Sequence, residues 1–166
     1  LRLFAGTEKM DIPTVTEGRD IQEADEILLT YRYAKANGIA VGDTLDLAGK
    51  KFRVCGLGMK PDYAIMLHEF SDSIPDKAGF GIGIISRETM ESLGKGTEYY
   101  SVRYGDKSRE NAFRTEIYEK YGTMEYVERE ANTRVSLIYN EADDLVAEFS
   151  LYCPIIMIVV IAVIAM

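Results

Sequence analysis

The last sixteen residues, 151–166 (LYCPIIMIVVIAVIAM), hold no charged side chain, and they follow a stretch that contains all 19 basic and all 27 acidic residues of the chain. An apolar run of this kind has to be buried, either in a protein interior or in lipid. As a helix it is about 24 Å long against a hydrocarbon core of about 30 Å, so alone it stops short of a full crossing. The chain opens at Leu1 and stops inside the apolar run at Met166, so both ends read as cut from a longer membrane protein. Two other readings stay open: a buried core helix of a soluble protein, and a removable anchor signal. No Asn-x-Ser/Thr sequon and no leading secretory segment accompanies the run.

Ahead of the tail lies an acidic body of one-domain size, since the 166-residue chain carries a net charge of −8. Nucleic-acid binders present a basic surface, which excludes nucleic acid as the expected partner. The two cysteines, Cys55 in a strand-like run and Cys153 at the start of the tail, sit in unlike environments, and neither has a second cysteine at metal-ligand spacing.

Residues 1–5 read as a strand and the polar stretch 6–25 as a loop. Glu26–Thr30 is a compact apolar strand, followed by a short helix over 31–37 that ends at Asn37-Gly38. Val41-Gly42-Asp43 forms a turn. Thr44–Leu47 alternates polar and apolar, Ala48-Gly49-Lys50 closes a hairpin, and 51–57 returns with Phe52 and Val54 on one face. Gly42, Asp43 and Gly49 are read as folding residues of this turn motif, because Gly allows a tight turn and Asp bonds nearby backbone N–H groups. After an irregular stretch to Phe80, 81–86 is a strand and 87–93 a short helix. Residues 99–104, 108–121 and 123–129 read as strand, helix and strand, a β-α-β unit whose helix carries Phe113, Ile117 and Tyr121 along one face. Asn140 reads as an N-cap, with Glu141, Asp143 and Asp144 in the first turn where the helix dipole favours acids. That helix continues into the tail, with a kink expected at Pro154.

No catalytic signature emerges. Gly79-Phe80-Gly81-Ile82-Gly83 is not a dinucleotide fingerprint, and no phosphate-binding GxxxxGK[S/T] loop is present. His68 is the only histidine, and no GxSxG elbow supports a triad with it. Carboxylate pairs such as Glu125 with Glu128, or Asp143 with Asp144, are too numerous for one to be chosen as a glycosidase pair. The expected set of catalytic, cofactor-binding and metal residues is therefore empty.

The order of features carries a resemblance. Glu26-Ile27-Leu28-Leu29 precedes Ala34, then Gly38-Ile39-Ala40-Val41-Gly42-Asp43-Thr44-Leu45, then Gly49-Lys50-Lys51-Phe52-Arg53-Val54-Cys55-Gly56, then Pro61-Asp62-Tyr63. This resembles the extracytoplasmic domain of the FtsX-like (MacB-type) permeases of ABC transporters, from about Glu17 to Met166. Asn132-Thr133-Arg134-Val135 looks like that family's approach to its second transmembrane segment, where Asn-Pro-Arg-Ile is commoner.

The resemblance implies a non-enzymatic α+β domain over 1–139, outside a bacterial cell membrane. Within it, 20–95 would form a small mixed sheet or barrel-like hairpin subdomain beside the β-α-β part at 96–139. Residues 140–166 would be a stalk helix and a truncated transmembrane helix, embedding Ile155, Ile156, Ile158, Val159, Val160, Ile161, Val163 and Ile164 in lipid. The implied partners are a cytoplasmic ABC ATPase subunit, membrane lipid and a second permease copy or half, with no cofactor. The final helix would act as a lever moving the β-α-β part, or as a mere tether. The alternative from a different class is a membrane-tethered extracellular binding or adhesion domain; a surface-anchored hydrolase is a third.

Overall fold

A computed structural model of the chain describes residues 1–72, 74–94, 96–122 and 125–164. The chain folds as a mixed α+β structure. Strands β1 (Arg2–Ala5), β2 (Thr14–Gly18), β3 (Glu26–Thr30), β4 (Thr44–Leu47), β5 (Lys50–Met59) and β6 (Ile82–Ile85) share one sheet, ordered β1-β6-β3-β5-β2, with β4 also paired to β5. Arg53 registers with Glu26 of β3 on one side and with Thr44 of β4 on the other, so β4 and β2 follow each other along the same edge of β5. The sheet stays open, with β1 at one edge and β2 at the other, so the barrel-like expectation is not met.

The central strand β3 explains the layering. All five of its residues are buried, and successive side chains point to opposite faces. Ile27 and Leu29 join Ala34, Phe52, Val54, Leu57 and Ile85 in one core, while Leu28 joins Tyr63, Met66, Phe80, Ile82 and Ile84 in the other. Helices α1 (Tyr31–Ala36) and α2 (Arg87–Ser92) serve the first core through Ala34 and Met90. The irregular segment after β5 covers the second. Because both faces are apolar, β3 reads as a continuous hydrophobic run rather than an alternation.

The β4–β5 hairpin turns on Ala48 and Gly49, whose φ angles of +53° and +77° are those of a primed two-residue turn. Ser86 caps α2, its Oγ accepting from the Thr89 N–H at 3.1 Å.

Four expectations change. First, Thr14–Gly18, read as loop, is an edge strand with a bulge between Val15 and Glu17. Second, among the described residues neither 99–104 nor 125–128 pairs as a strand, so the strands expected of the β-α-β unit are not seen there; Thr123 and Met124 lie outside the described residues. Its helix does form, as α3 (Glu110–Tyr121), ended by Gly122 at φ +78°. Third, the last helix, α4 (Thr133–Ile164), begins seven residues before Asn140. Its cap is Asn132, whose Oδ1 accepts from the Arg134 N–H at 3.1 Å, so Asn140, Glu141, Asp143 and Asp144 lie inside the helix. Fourth, α4 runs continuously through Pro154, but among the described residues no helix is long and apolar enough to cross a membrane.

Candidate functional site: the joint at the root of the long helix

The turn motif is placed by its backbone. Gly42 has φ +101° and donates its N–H to the Val54 carbonyl at 2.8 Å. Asp43 Oδ2 accepts from the Ala40 N–H at 2.8 Å, and the Asp43 carbonyl accepts from the Val54 N–H. A side chain at Gly42 would meet no neighbouring atom, so conformation alone demands glycine there. Gly42, Asp43 and Gly49 thus steer α1 into the hairpin, through backbone conformation and bonds.

The opening residue of the resemblance, Glu26, is fully buried at the start of β3. Arg19 grips its carboxylate with two bonds of 2.5 and 2.7 Å, Arg53 adds one of 2.5 Å, and the N–H groups of Gln22 and Glu23 donate at 3.0 and 3.2 Å. The Arg19 hydrogen bonds, helped by the backbone donors and opposed by burial, hold its pKa at about 2. This cluster ties the 19–25 loop to β5. It has no free lone pair turned to solvent and no nucleophile, so its role is to fix the fold.

A second cluster sits where α4 leaves the body. The irregular segment opens with a 3-10 turn, Pro61–Tyr63, that delivers the Tyr63 ring into the second core. The buried Lys60 ammonium pairs with Asp62 and lies 4.8 Å over Phe4 and 5.9 Å over Tyr63. Arg2 of β1 donates to the Tyr63 hydroxyl at 2.8 Å and stacks on Phe80 at 5.3 Å. The first turn of α4 brings Arg134, only 6% exposed. Its guanidinium donates to the Leu67 carbonyl at 2.9 Å and the His68 carbonyl at 2.7 Å, and it lies 4.0 Å over Phe70 and 4.5 Å over Tyr63.

Backbone and cap bonds complete the joint. The Ile65 N–H donates to the Arg134 carbonyl at 2.9 Å, and Thr133 Oγ1 donates to the Phe70 carbonyl at 3.0 Å. Arg134 therefore carries its buried charge on two carbonyls and two aromatic faces, a use that suits a planar, weakly hydrated guanidinium. The strand β1 and the helix α4 converge on one ring, Tyr63. The described side-chain contacts root α4 in the segment beneath the sheet, while the N–H of its cap, Asn132, also donates to the Glu128 and Arg129 carbonyls at 3.0 and 3.2 Å.

Sequence reasoning placed no role on Arg134, Lys60 or Tyr63 themselves, although it quoted Pro61-Asp62-Tyr63 and Asn132-Thr133-Arg134-Val135 for their order. The readable signal was an arginine two residues after an Asn able to cap, in a stretch, 131–140, otherwise free of charge. Its aromatic partners lie more than sixty residues earlier, which spacing alone does not reveal.

The remaining chemistry-bearing residues do not assemble. His68 is largely exposed, with Nδ1 3.1 Å from Glu69 Oε1 and its ring edge-on to Phe80. Glu128 pairs with Arg114, and both cysteines are free, Cys55 buried and Cys153 exposed. Among the described residues no group of acids, histidines and cysteines is arranged to hold a metal. A cleft of about 300 Å³ on the first-core side is lined by Asp25, Lys50, Lys51, Phe52, Glu88 and Ser92, among others. There Lys50 Nζ donates to Ser92 Oγ at 2.6 Å, and Ser92 gives its own hydrogen to the Thr89 carbonyl at 2.7 Å. The serine proton points away from the lysine, so the pair is not arranged as nucleophile and base.

The apolar tail is exposed on every side described. Ile155, Ile156, Ile158, Val160, Ile161, Val163 and Ile164 are all exposed on α4, while the Val159 side chain lies outside the described ones. No protein-family model matches this chain, and no curated protein matches it in sequence.

Proposed function

We propose that the chain is the extracytoplasmic domain of an ABC transporter permease of the FtsX-like (MacB) type, with α4 linking it to the bilayer. The observation that carries this reading is α4 itself. It is one 32-residue helix whose first turn is locked into the body by Arg134 and whose last turns are apolar all round. A helix exposed on all sides and lacking polar atoms suits lipid better than a protein groove, which would demand only one apolar stripe. The order of the Glu26, Gly42-Asp43 and Tyr63 segments adds the family resemblance.

In this reading the domain performs no chemistry. A cytoplasmic ATPase subunit supplies the energy, and movement of α4 reaches the sheet through Tyr63. The multi-point joint favours a lever over a loose tether, and its side-chain bonds lead from α4 to the sheet. Membrane lipid surrounds Ile155–Ile164, and a second permease copy or half completes the transporter.

The full reading frame should encode one apolar helix upstream of Leu1 and at least two more downstream of Met166, and the full protein should co-purify with a nucleotide-binding subunit. A frame with a single span and no such subunit would instead support the membrane-tethered binding domain. Within the transporter, Arg134→Ala leaves two carbonyls without their donor and should loosen the joint by about 2–4 kcal/mol. ATP-driven distance changes between spin labels on the sheet and on α4 should then decouple, while assembly with the ATPase persists. Unchanged coupling would reduce α4 to a tether.

A further inference from the structure

Helix α1 serves the first core and the joint at Arg134 serves the second, yet residues 78–82 touch both. On the α1 side, Asn37 Nδ2 donates to the Tyr33 carbonyl and to the Ala78 carbonyl, each at 3.0 Å. The first bond caps α1, whose last carbonyls lack donors within the helix, and the second ties that cap to the approach to β6. Buried Gly81 lies so close to the Tyr33 ring that an added Cβ would collide with it, so α1 rests directly on this backbone. One residue on, the Ile82 N–H donates at 3.0 Å to the Oγ1 of Thr30, the residue from which α1 starts.

On the α4 side, Phe80 is the shared ring. It is buried, with its centroid 6.3 Å from that of Tyr63 and 4.9 Å from that of His68. Arg134 holds both of those residues, stacking on the Tyr63 ring and donating to the His68 carbonyl. Two routes therefore lead from one guanidinium to one phenyl ring. The Phe80 backbone in turn sits between Ala78 and Gly81, the residues that α1 grips. Close-packed side chains transmit strain instead of absorbing it, so a change at Arg134 is felt at this backbone.

We infer that Phe80 and Asn37 couple the root of α4 to the C-terminal end of α1, so that freeing Arg134 loosens the α1 cap and the Gly38–Asp43 turn behind it. A coupling free energy between two sites acts in both directions, so breaking the cap also loosens the first turn of α4. The inference concerns this chain alone and does not rest on the transporter reading.

Amide hydrogen exchange on the 166-residue chain in lipid nanodiscs tests this. One end is read at Asn37, Gly38 and Ile39, whose N–H groups bond to carbonyls of α1, and the other at Ile65, whose N–H bonds to the Arg134 carbonyl. Arg134→Lys keeps the charge but gives up the stacked plane and the forked donors. It should quicken exchange at 37–39 by about three- to tenfold, with the Met90 and Leu93 amides of α2 unchanged. Asn37→Asp turns a carboxylate towards two carbonyls and should quicken Ile65 to a similar degree. The double variant should fall short of the product of the two single effects, and Phe80→Leu should abolish the response of each end to the other. Arg134→Lys quickening Ile65 alone, or single effects that multiply fully, overturns the inference. So does equal quickening in every strand, which is plain loss of global stability. Where Arg134→Lys fails to hold its fold by circular dichroism, Asn37→Asp decides: parental exchange at Ile65 overturns the coupling and faster exchange there supports it. Neither result depends on co-purification with an ATPase, and the absence of such a subunit leaves the coupling standing.

Discussion

Two regions of this molecule use similar residues to opposite ends. In the sheet, β3 is flanked by β5 and β6, every one of its residues is buried, and its side chains feed two cores. In residues 97–131, no residue of α3 is buried, and among the described residues the stretches beside it pair with no strand. Tyr99–Tyr104 has a composition as favourable for a strand as Glu26–Thr30. The difference is in the neighbours. Gly56 and Gly58 of β5 and Gly83 of β6 pair with β3, and at Gly56 a side chain would collide with the Arg19 and Glu17 carbonyls. Gly56 and Gly58 let the β2 backbone close onto β5, and Gly83 leaves room for the Ile27 side chain of β3, whereas the ring contact described for a tyrosine of 97–104 is the one of Tyr104 with Phe113.

The comparison is tested most severely by equal truncations in the two regions. Leu28→Ala empties a fully buried site and should cost about 2–5 kcal/mol, whereas Ile117→Ala, on the half-buried side of α3, should cost about 1 kcal/mol or less. Amide hydrogen exchange on the detergent-solubilised chain reads both. Leu28→Ala should speed exchange throughout β3, β5 and β6, and Ile117→Ala only within residues 97–131. Similar global losses from both would mean that the two regions fold as one unit.

A graded effect comes from acid. The Glu26 pKa is held at about 2 in the folded chain, below its ordinary value of 4.5. A depressed carboxylate pKa contributes stability that is complete above the unfolded value and is lost as pH falls through the folded one. The sheet should therefore keep its protection at neutral pH and lose it progressively as pH falls from about 4.5 towards 2. Glu26→Gln removes the titrating charge, so its lower stability should vary less over that window. Residues 97–131 lie far along the chain from this cluster and should be indifferent to the substitution. An unaltered pH profile in the variant would show that other carboxylates carry the acid sensitivity.

How far these regions were legible in the sequence follows from the same contrast. Strands β1, β3, β4, β5 and β6, the short helices and the Gly42-Asp43 turn are local patterns that tertiary packing reinforces, so periodicity and turn chemistry placed them. The edge strand β2 was hidden because its TVTEG alternation sits among turn-formers, and only pairing with β5 makes it a strand. At 99–104 and 125–128 the error ran the other way, since propensity promised strands that no partner completes. The start of α4 was misplaced because Asn140 and the acids after it imitate an N-terminus, while the true first turn, behind the Asn132 cap, is held by the bonds of Thr133 to Phe70 and of Ile65 to Arg134, partners far upstream. The joint around Tyr63 was illegible for that reason: its cations and rings are joined only by the fold.

The smallest expected effect is also the sharpest test of independence. The Tyr126 hydroxyl lies 3.3 Å from that of Tyr104 and donates to Glu110 at 2.7 Å; these bonds push its pKa up, so it stays protonated throughout the physiological range. Tyr126→Phe keeps the ring beneath Arg114 and deletes only these exposed bonds, which should cost about 0.5–1 kcal/mol. Exchange should quicken in α3 and nowhere in the sheet, because the side-chain bond described between residues 97–131 and the strand-rich body, from Ser101 to Asp11, lies in an exposed loop. If amides of β3 or β5 lose protection in this variant, residues 97–131 support the sheet through contacts other than that bond. The two regions would then have to be treated as a single cooperative unit.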